Sequence, residues 1–359
     1  MKTKPVHFLI SLSVVLVLLL VTQSSMARLT AAPSQATAAA TMAGTTAAPG
    51  TLAHLKIGYS TWVGYGPLFI ARDKGYLAAE GLDVEFVKVE DPKQRFTALA
   101  ANQLDGLVTT LDTLSQYYKA ETPFKAIFGL DESSGGDGIV ANAGITTVKD
   151  LKGKQIGVNV GSVSQFFLEY ELQQNGMTDS DVTLVKMQQG DVPAALAANR
   201  VDAGVTWEPH LSKSVKAGAK LIATSKDTPG LIVDIMVVRG DVLTANPTVG
   251  KGLMNAWNKA IDYWKANPDD ADSIMQKGLA GFYATPDDIK ADLAGATLFD
   301  LAHNQTFFGG TGKGTATDTL QFAIDFYTKL NIITTPVKAA DMIDASYIPP
   351  MAATPAATK

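Results

Sequence analysis

Two nearly identical stretches, about a hundred residues apart, place the strongest constraint on how this chain folds. Residues 98–109 read ALAANQLDGLVT, and residues 195–206 read ALAANRVDAGVT. A weaker match lies upstream at nearly the same offset, between residues 56–60 (KIGYS) and 155–159 (QIGVN). This period is far too long for a solenoid repeat. Chance is the alternative, because alanine and leucine are common here, but two matches in register favour two similar α/β lobes.

Composition narrows the class of protein. The 359 residues are 46% apolar and 18% charged, which is typical of a globular protein with room for two domains. The net charge of −5 gives no indication of a nucleic-acid-binding surface. Cysteine is absent, which excludes disulfides, thiolate metal sites, a cysteine nucleophile and a lipid-modified cysteine at the N-terminus.

The N-terminal residues 1–27 have the pattern of an export signal. Lys2 and Lys4 precede an apolar run over residues 8–21, and small residues before the cut predict cleavage after Ala27. An uncleaved membrane anchor is the alternative, although the run is short for a spanning helix. In both cases we expect the rest of the chain to work outside the cytoplasm, in a periplasm or its equivalent.

Two segments of simple composition flank the predicted folded body. Residues 28–53 are almost entirely Ala, Thr, Pro, Gly and Ser, and residues 348–359 have the same character. Such segments contain too little apolar side-chain bulk to offset the entropy lost on ordering. We therefore expect a disordered linker, a disordered tail, and a folded body between them.

Within the body, strands and helices alternate twice before the pattern changes. One series runs from residue 56 to residue 130 and a second from residue 154 to residue 223. After Asp241 four segments show helical periodicity, and no strand between them is convincing. The alternation predicts mostly parallel sheets covered by helices on both faces. Ligands of such sheets bind beyond the carboxyl ends of the strands.

Several motifs together resemble a known family. They are residues 64–71 (GYGPLFIA), 74–77 (KGYL), 80–84 (EGLDV), 98–105, 150–158 (DLKGKQIGV) and 205–209 (VTWEP). In this order they resemble the periplasmic solute-binding proteins of ABC importers, in the branch for nitrate, sulfonates, taurine and thiamine-pyrimidine precursors. The resemblance covers residues 54–270 well and the helical tail loosely.

The resemblance implies an α/β fold of two lobes that close on a ligand, the type II or flytrap arrangement. Lobe 1 would comprise residues 54–140 and 235–347, and lobe 2 residues 141–234. Segments near 138–142 and 230–236 would form the hinge. The resemblance also implies a monomer that binds a small-molecule solute, needs no cofactor, and docks on the membrane permease subunits of an ABC importer.

Polar and aromatic side chains at the predicted strand ends and crossing segments are candidate solute ligands. They are Ser60, Trp62, Tyr65, Thr110, Asp112, Asp131, Ser133, Asp137, Ser162, Ser164, Trp207, Glu208 and Asp234. Free N–H groups at helix starts favour anionic or oxygen-bearing ligands, and an exposed indole suits the wall of a cleft.

Each candidate also has an ordinary structural interpretation. Ser162, Ser164 and Asp112 are equally suited to capping helices. Trp62 is the packing anchor of a turn in the alternative view, and residues 131–138 form a plain solvated loop. Asp234 is a buried hinge residue in that view. For Trp207 and Glu208 the sequence indicates no second function.

The sign of the candidate charges predicts the kind of solute. The ionisable candidates are all acidic, and no lysine or arginine occupies the proposed turns. A carboxylate in a closed, dry cleft needs a cationic or hydrogen-bonding partner. We therefore expect an amine, amidine, guanidinium or aminopyrimidine solute. An oxyanion such as an aliphatic sulfonate, taurine or nitrate is the alternative, held by helix N-termini.

An enzyme and a sensor domain are the two functional classes that are alternatives to a binding protein. Pyrimidine-synthesising enzymes resemble this fold, and the resemblance implies that they use a cysteine-rich motif and a histidine. This chain has no cysteine, and His54, His210 and His303 lack metal-ligand spacing. Motifs for serine hydrolysis, nucleotides and dinucleotides are also absent. A sensor domain would need an attached signalling domain. We expect no catalysis, no metal and no nucleic acid.

Overall fold

The computed structural model describes residues 52–351, except Thr122 and Ala280. The predicted export signal lies outside the described residues, as do nearly all of the predicted linker and most of the predicted tail. Within the described part of the chain, no helix is long and apolar enough to cross a membrane.

Strands and helices alternate through the first two thirds of the described chain. The strands are β1 (Ala53–Tyr59), β2 (Leu82–Lys88), β3 (Gly106–Thr110), β4 (Phe124–Ser133), β5 (Asp137–Ala141), β6 (Gln155–Val158), β7 (Thr183–Lys186), β8 (Ala203–Trp207), β9 (Lys220–Thr224), β10 (Val233–Arg239) and β11 (Ala296–Leu298). The helices between the early strands are α1 (Gly66–Asp73), α2 (Tyr76–Ala79), α3 (Pro92–Ala100), α4 (Leu111–Tyr117), α5 (Val163–Gln174), α6 (Val192–Ala197) and α7 (His210–Lys216).

The remainder is mainly helical, as the periodicity predicts. Its helices are α8 (Gly240–Ala245), α9 (Thr248–Ala266), α10 (Pro268–Gly278), α11 (Pro286–Leu293), α12 (Leu301–Phe307), α13 (Ala316–Lys329) and α14 (Ala339–Met342). Short 3-10 turns cover Val63–Tyr65, Val148–Leu151, Asp179–Asp181, Gln189–Asp191, Ser225–Asp227 and Ala345–Tyr347.

The strands form two mixed sheets, one in each lobe. The first has the order β11-β4-β10-β3-β1-β2, and the second has the order β7-β6-β8-β5-β9. β1 pairs in parallel with β2 and β3, and β6 pairs in parallel with β7 and β8. The other strand pairs of the described chain are antiparallel, so the expectation of mostly parallel sheets is too broad. β5 and β10 each follow a crossing between lobes and therefore run antiparallel to the triplet they join.

The internal repeat forms the same structure in both lobes. The asparagine of each stretch is left-handed, with φ of 58° in the first and 51° in the second, and asparagine tolerates this conformation. In lobe 1 the Asp105 carboxylate accepts a hydrogen bond from Lys56 N at 2.9 Å. In lobe 2 Asp202 accepts one from Gln155 N at 2.8 Å. The repeated carboxylate therefore binds a backbone N–H of the central strand of each parallel triplet, within β1 and at the first residue of β6.

The crossings between sheets lie slightly outside the predicted positions. β5 pairs with β8 and β9, so residues 137–141 belong with the second sheet. The first crossing is therefore at residues 134–136, before the predicted segment at 138–142. The return crossing spans residues 225–232, because β10 begins at the next residue. We retain the other lobe boundaries as a proposal.

The C-terminal helices pack on the first sheet. α9 and α10 contact α1, and the indole of the buried Trp257 donates to Phe299 O at 2.8 Å. The expectation of no strand in this part is wrong, because β11 pairs antiparallel with β4. With three residues it is too short to show an alternating pattern.

α13 also contacts lobe 2. The ring of Phe166 on α5 lies 5.4 Å from the rings of both Phe326 and Tyr327 on α13. These rings are buried, and such pairs add stability beyond their buried area. The C-terminal helices thus belong to lobe 1 by packing and reach the second lobe through this aromatic cluster.

Candidate solute-binding site

A narrow cavity lies between the two lobes, at the carboxyl ends of the parallel strands. Its volume is about 30 Å³, which is room for about two water molecules. The candidate ligands that line it are Ser60, Trp62, Tyr65, Thr110, Asp137, Ser162, Trp207 and Asp234. They come from both lobes, and Asp137 and Asp234 lie at the starts of the two strands that follow the crossings. The strand-end rule therefore selected residues that the structure brings together.

Trp62 forms one wall of the cavity and is held from behind. Its indole Nε1 donates to Asp131 Oδ1 at 2.9 Å, and 4% of the residue is exposed. A Cβ at Gly64 would lie 2.2 Å from Asp131 Oδ2, and one at Gly136 would lie 2.4 Å from the indole ring. The two glycines therefore provide the space in which the indole and the carboxylate pack. Trp62 is both a cavity wall and a packing anchor.

Tyr65 and Asp234 form a buried hydrogen-bonded pair at the cavity. The Tyr65 hydroxyl donates to Asp234 Oδ1. Burial raises the pKa of Asp234 well above 3.8, and the neighbouring carboxylate of Asp131 raises it further. Burial likewise raises the pKa of Tyr65. Asp234 therefore holds a proton at pH values where an exposed aspartate has lost it.

Asp137 is the first residue of β5 and lines the same cavity. Burial raises its pKa to about 7, and a hydrogen bond from the Ser133 hydroxyl opposes that rise. None of the ion pairs in the described part of the chain involves Asp137 or Asp234. Both carboxyl groups are thus buried without a direct ion pair, although the Arg95 guanidinium lines the same cavity.

Hydrogen bonds between the lobes run along the cavity. The indole Nε1 of Trp207 donates to Thr61 O at 2.6 Å. Thr61 in turn donates from its backbone N at 3.2 Å and from its hydroxyl at 2.6 Å to the Glu90 carboxylate. The same carboxylate accepts from Gln189 Nε2 at 2.9 Å. These contacts hold the two lobes in a closed arrangement.

Some candidate ligands do not line the cavity. They are Asp112, Asp131, Ser133, Ser164 and Glu208. Glu208 accepts from Ser212 N at 2.9 Å and from Ser212 Oγ at 2.8 Å, which stabilises the first turn of α7. Asp131 supports the indole of Trp62. Both carboxylates therefore have a structural role that the sequence did not indicate.

Asp112 is neither a cavity residue nor the cap of its helix. The N-cap position of α4 is Thr110. Asp112 accepts a hydrogen bond from the hydroxyl of Tyr327 on α13 at 3.3 Å. Burial raises its pKa to about 6. It links the edge of lobe 1 to the C-terminal helices.

The candidate serines Ser133, Ser162 and Ser164 differ in whether they line the cavity or have a structural role alone. Ser133 Oγ lies 2.8 Å from Ser225 Oγ and so connects the end of β4 to the return crossing. Ser162 caps α5, because its Oγ accepts from Ser164 N at 3.2 Å, and it also lines the cavity. Ser164 itself is fully buried beneath the cap. Capping and cavity lining therefore coincide in Ser162 alone of these three.

Sequence reasoning missed the lining contributed by α3 and the loop before it. Glu90, Pro92 and Arg95 line the cavity, together with Thr109, Thr113, Val163 and Ile232. A signal for Glu90 existed, because it follows β2, whose carboxyl end lies at the same sheet edge. Arg95 lies one turn into a helix, where the strand-end rule does not apply. Arg95 therefore adds a cation to a cavity for which the ionisable candidates from the sequence are all acidic.

Trp207→Phe is expected to shift the protein toward an open arrangement. The variant keeps an aromatic ring but loses the hydrogen bond to Thr61, which is worth about 1 kcal/mol or a factor of about five in the closing equilibrium. Small-angle scattering without added solute would detect a larger radius of gyration.

The matched control for this variant is Trp264→Phe. Trp264 Nε1 donates to Asp272 Oδ1 at 3.3 Å within lobe 1, so its loss should leave the radius of gyration unchanged. Equal radii for both variants would contradict a closing role for Trp207.

The described histidines lie away from the cavity lining. His54 and His303 pair with exposed carboxylates, and burial lowers the pKa of His210 to about 4. Among the residues that the structure describes, no group of three His, Cys, Asp or Glu side chains is arranged to hold a metal ion.

The fold and the cavity together define a class of protein. Two α/β lobes, joined by crossing segments and separated by a polar cavity, are the architecture of two-lobed solute-binding proteins. The chain belongs to the family described as NMT1/THI5 like, which matches residues 62–271. This match confirms the family resemblance that the motifs indicate.

Relatives of known sequence carry names of two kinds. The chain is 29% identical over 212 residues to a Bacillus subtilis (strain 168) protein named for binding aliphatic sulfonates, covering 57% of this chain and 64% of that one. It is 26% identical over 218 residues to the 4-amino-5-hydroxymethyl-2-methylpyrimidine phosphate synthase THI11 of Saccharomyces cerevisiae, covering 56% of this chain and 64% of the enzyme. The chain thus spans slightly less than two thirds of either relative.

Solved structures share the fold over most of the chain. The alkanesulfonate-binding protein SsuA from Xanthomonas axonopodis pv. citri, bound to MOPS, matches with a TM-score of 0.67 at 20% identity, over 82% of this chain and 99% of that one. The periplasmic nitrate-binding protein NrtA from Synechocystis PCC 6803 matches with a TM-score of 0.63 at 16% identity, over 82% and 87%. At these identities the likeness establishes the two-lobed α/β fold alone.

Proposed function

We propose that this chain is an extracytoplasmic solute-binding protein that delivers a small solute to the membrane permease subunits of an ABC importer. The supporting observation is that residues of both lobes, and Ile232 of the return crossing, line one cavity. A solute that contacts both lobes favours the closed arrangement over the open one. Membership of the family supports the same role.

The solute that we propose carries amine, amidine or guanidinium donors, or is an aminopyrimidine. The observation that carries this proposal is the pair of buried carboxyl groups, Asp137 and Asp234, beside neutral protein donors. A solute cation or donor would offset the desolvation of these groups. The indole rings of Trp62 and Trp207 line the same cavity, and such rings attract cations.

Capture requires the lobes to separate. The closed cavity is about 30 Å³, so an organic solute enters while the hydrogen bonds from Trp207 and Gln189 to lobe 1 are broken. Closure then restores these bonds around the solute and excludes water. The proposed cycle is solute entry to the open form, closure, and release at the importer.

We propose that the chain has no catalytic activity. The synthases among its relatives make catalysis the alternative class. Cysteine is absent from the sequence, and in the described part of the chain the cavity lining contains no histidine. The cavity offers carboxyl, hydroxyl, indole and guanidinium groups, which suit recognition.

An oxyanion solute is the second candidate, and one observation favours it. Arg95 and the N-cap of α5 both line the cavity, and both suit anions. This candidate includes aliphatic sulfonates, taurine and nitrate.

A thermal-shift panel separates the two candidates. Butylguanidine, propylamine and 4-aminopyrimidine represent the donor class, and ethanesulfonate and nitrate represent the oxyanions. We expect stabilisation by the donor class, by about 2.7 kcal/mol at a hundredfold excess over Kd. Asp137→Asn is expected to weaken this binding about tenfold. Asp292→Asn, a buried carboxylate outside the cavity lining, is the control. Stabilisation by ethanesulfonate or nitrate, with none by the donor compounds, would refute the donor proposal.

A further inference from the structure

Arg95 is buried at the cavity and incompletely hydrogen-bonded. Only 4% of the residue is exposed, and it lines the same cavity as Asp137 and Asp234. Its Nη1 donates to Val89 O at 2.7 Å and to Glu90 O at 3.1 Å. Among the described residues, its Nε has no hydrogen-bond partner. The guanidinium is therefore fixed at one nitrogen and has an unused donor at another.

The charge of Arg95 is also not matched by a direct ion pair. In the described part of the chain no carboxylate oxygen lies within 4.0 Å of its nitrogens. Burial lowers the pKa of Arg95, and the more distant charges of Glu90, Asp234 and Asp91 oppose that change. Arginine remains protonated in proteins, so the cavity contains a buried cation.

A second anion-favouring feature lies at the same cavity. α5 is a helix of 12 residues, and its N-cap Ser162 and first residue Val163 both line the cavity. The positive end of the helix dipole and the unused Arg95 donor thus act on one small volume. The carboxyl groups of Asp137 and Asp234 line that volume too.

We propose that Arg95 is a specificity-determining residue that selects solutes carrying an oxyanion group, a carboxylate or a sulfonate, in addition to the donor group. This inference rests on the proposed function and narrows its solute to bipolar molecules. Arg95 binds the oxyanion through the planar guanidinium, whose geometry matches carboxylate and sulfonate oxygens. Asp137 and Asp234 receive the donor end.

Matched probe sets test this selection by isothermal titration. One set is 4-guanidinobutyrate against butylguanidine, and the second is β-alanine and taurine against propylamine. Wild type is expected to bind the bipolar members at least about tenfold more tightly, as a charge-assisted hydrogen bond predicts. Arg95→Gln should abolish that preference, so that the ratio of the two affinities in each set falls to about one.

Arg95 also supports the backbone at Val89 and Glu90, so a structural role needs its own readout. A purely structural role would weaken both members of each pair equally and leave their ratio unchanged, which would overturn the inference. Arg95→Lys keeps the charge without the planar group and is expected to keep part of the preference. It serves as the test if Arg95→Gln does not fold.

Ethanesulfonate separates this inference from the donor proposal. If ethanesulfonate binds, butylguanidine does not, and Arg95→Gln abolishes the binding, the role of Arg95 stands and the donor class fails. If wild type binds butylguanidine and 4-guanidinobutyrate equally, the donor class stands and the role of Arg95 fails. If no probe binds, both fail.

Discussion

Gly64→Ala is expected to destabilise the protein by about 3 kcal/mol and to remove solute binding, because overpacking of a filled core costs about this much. The added Cβ would lie 2.2 Å from Asp131 Oδ2 and 2.5 Å from Trp62 Nε1. Neither group can retreat easily, since Asp131 is fully buried and the indole packs against Gly136. The hydrogen bond that holds the cavity wall must therefore break or shift. The shift in the urea unfolding midpoint measures the loss.

Two further variants make this prediction specific. Gly190→Ala is the control, because the nearest atom to its added Cβ is His210 Cε1 at 3.4 Å, an ordinary contact. It should change stability by less than about 0.5 kcal/mol. The double variant Gly64→Ala with Asp131→Ala removes the clashing carboxylate, so its loss should be smaller than the sum of the single losses. Strict additivity would show that the clash is not the cause.

Asp131→Asn is expected to stabilise the protein at pH 8 and to leave it nearly unchanged at pH 4. Burial raises the pKa of Asp131 above its usual value of 3.8, and the Asp137 and Glu132 charges add to the rise. The folded state therefore holds a proton that the unfolded state releases above pH 4. Wild-type stability thus falls as the pH rises from 4 through the raised pKa.

Asp131→Asn has no carboxyl proton to release, so its stability does not fall through this group as the pH rises. Its amide oxygen can still accept the hydrogen bond from the Trp62 indole. Each pKa unit corresponds to about 1.4 kcal/mol, and the neighbouring Asp137 and Asp234 still titrate, so we expect a gain of about 2 kcal/mol at pH 8. Urea unfolding at pH 4, 6 and 8 measures it. The control is Asp325→Asn, an exposed carboxylate on α13. Parallel pH profiles for wild type and Asp131→Asn would disprove the prediction.

The internal repeat predicted more of the fold than any single motif. Its carboxylates, Asp105 and Asp202, occupy equivalent positions in two lobes, as the sequence indicated. The strand β11 escaped prediction because three residues cannot show a period of two. The antiparallel direction of β5 and β10 was not predicted either, since it depends on which lobe the chain has just left.

The strand-end rule selected about half of the residues that line the cavity. It selected residues at or just after the ends of β1, β3 and β8, because the carboxyl ends of neighbouring parallel strands meet at one edge of a sheet. No candidate ligand was chosen after the end of β2, and Glu90 was missed for that reason. It also selected Glu208, whose carboxylate turns instead toward Ser212 in the next helix. The rule locates a backbone position and does not determine where a side chain points.

The sequence by itself determined the two lobes, the family and the sheet edge at which the cavity lies, because these follow from periodicity, repeats and motifs along the chain. Only the tertiary structure decided which polar groups face the cavity. Trp62 is hydrogen-bonded to Asp131, 69 residues further along the chain, and Tyr65 to Asp234, 169 residues further along. Arg95 reaches the cavity from a helix. Such partners are set by the packing of distant segments, and no local pattern encodes the direction in which a buried side chain satisfies its hydrogen bonds.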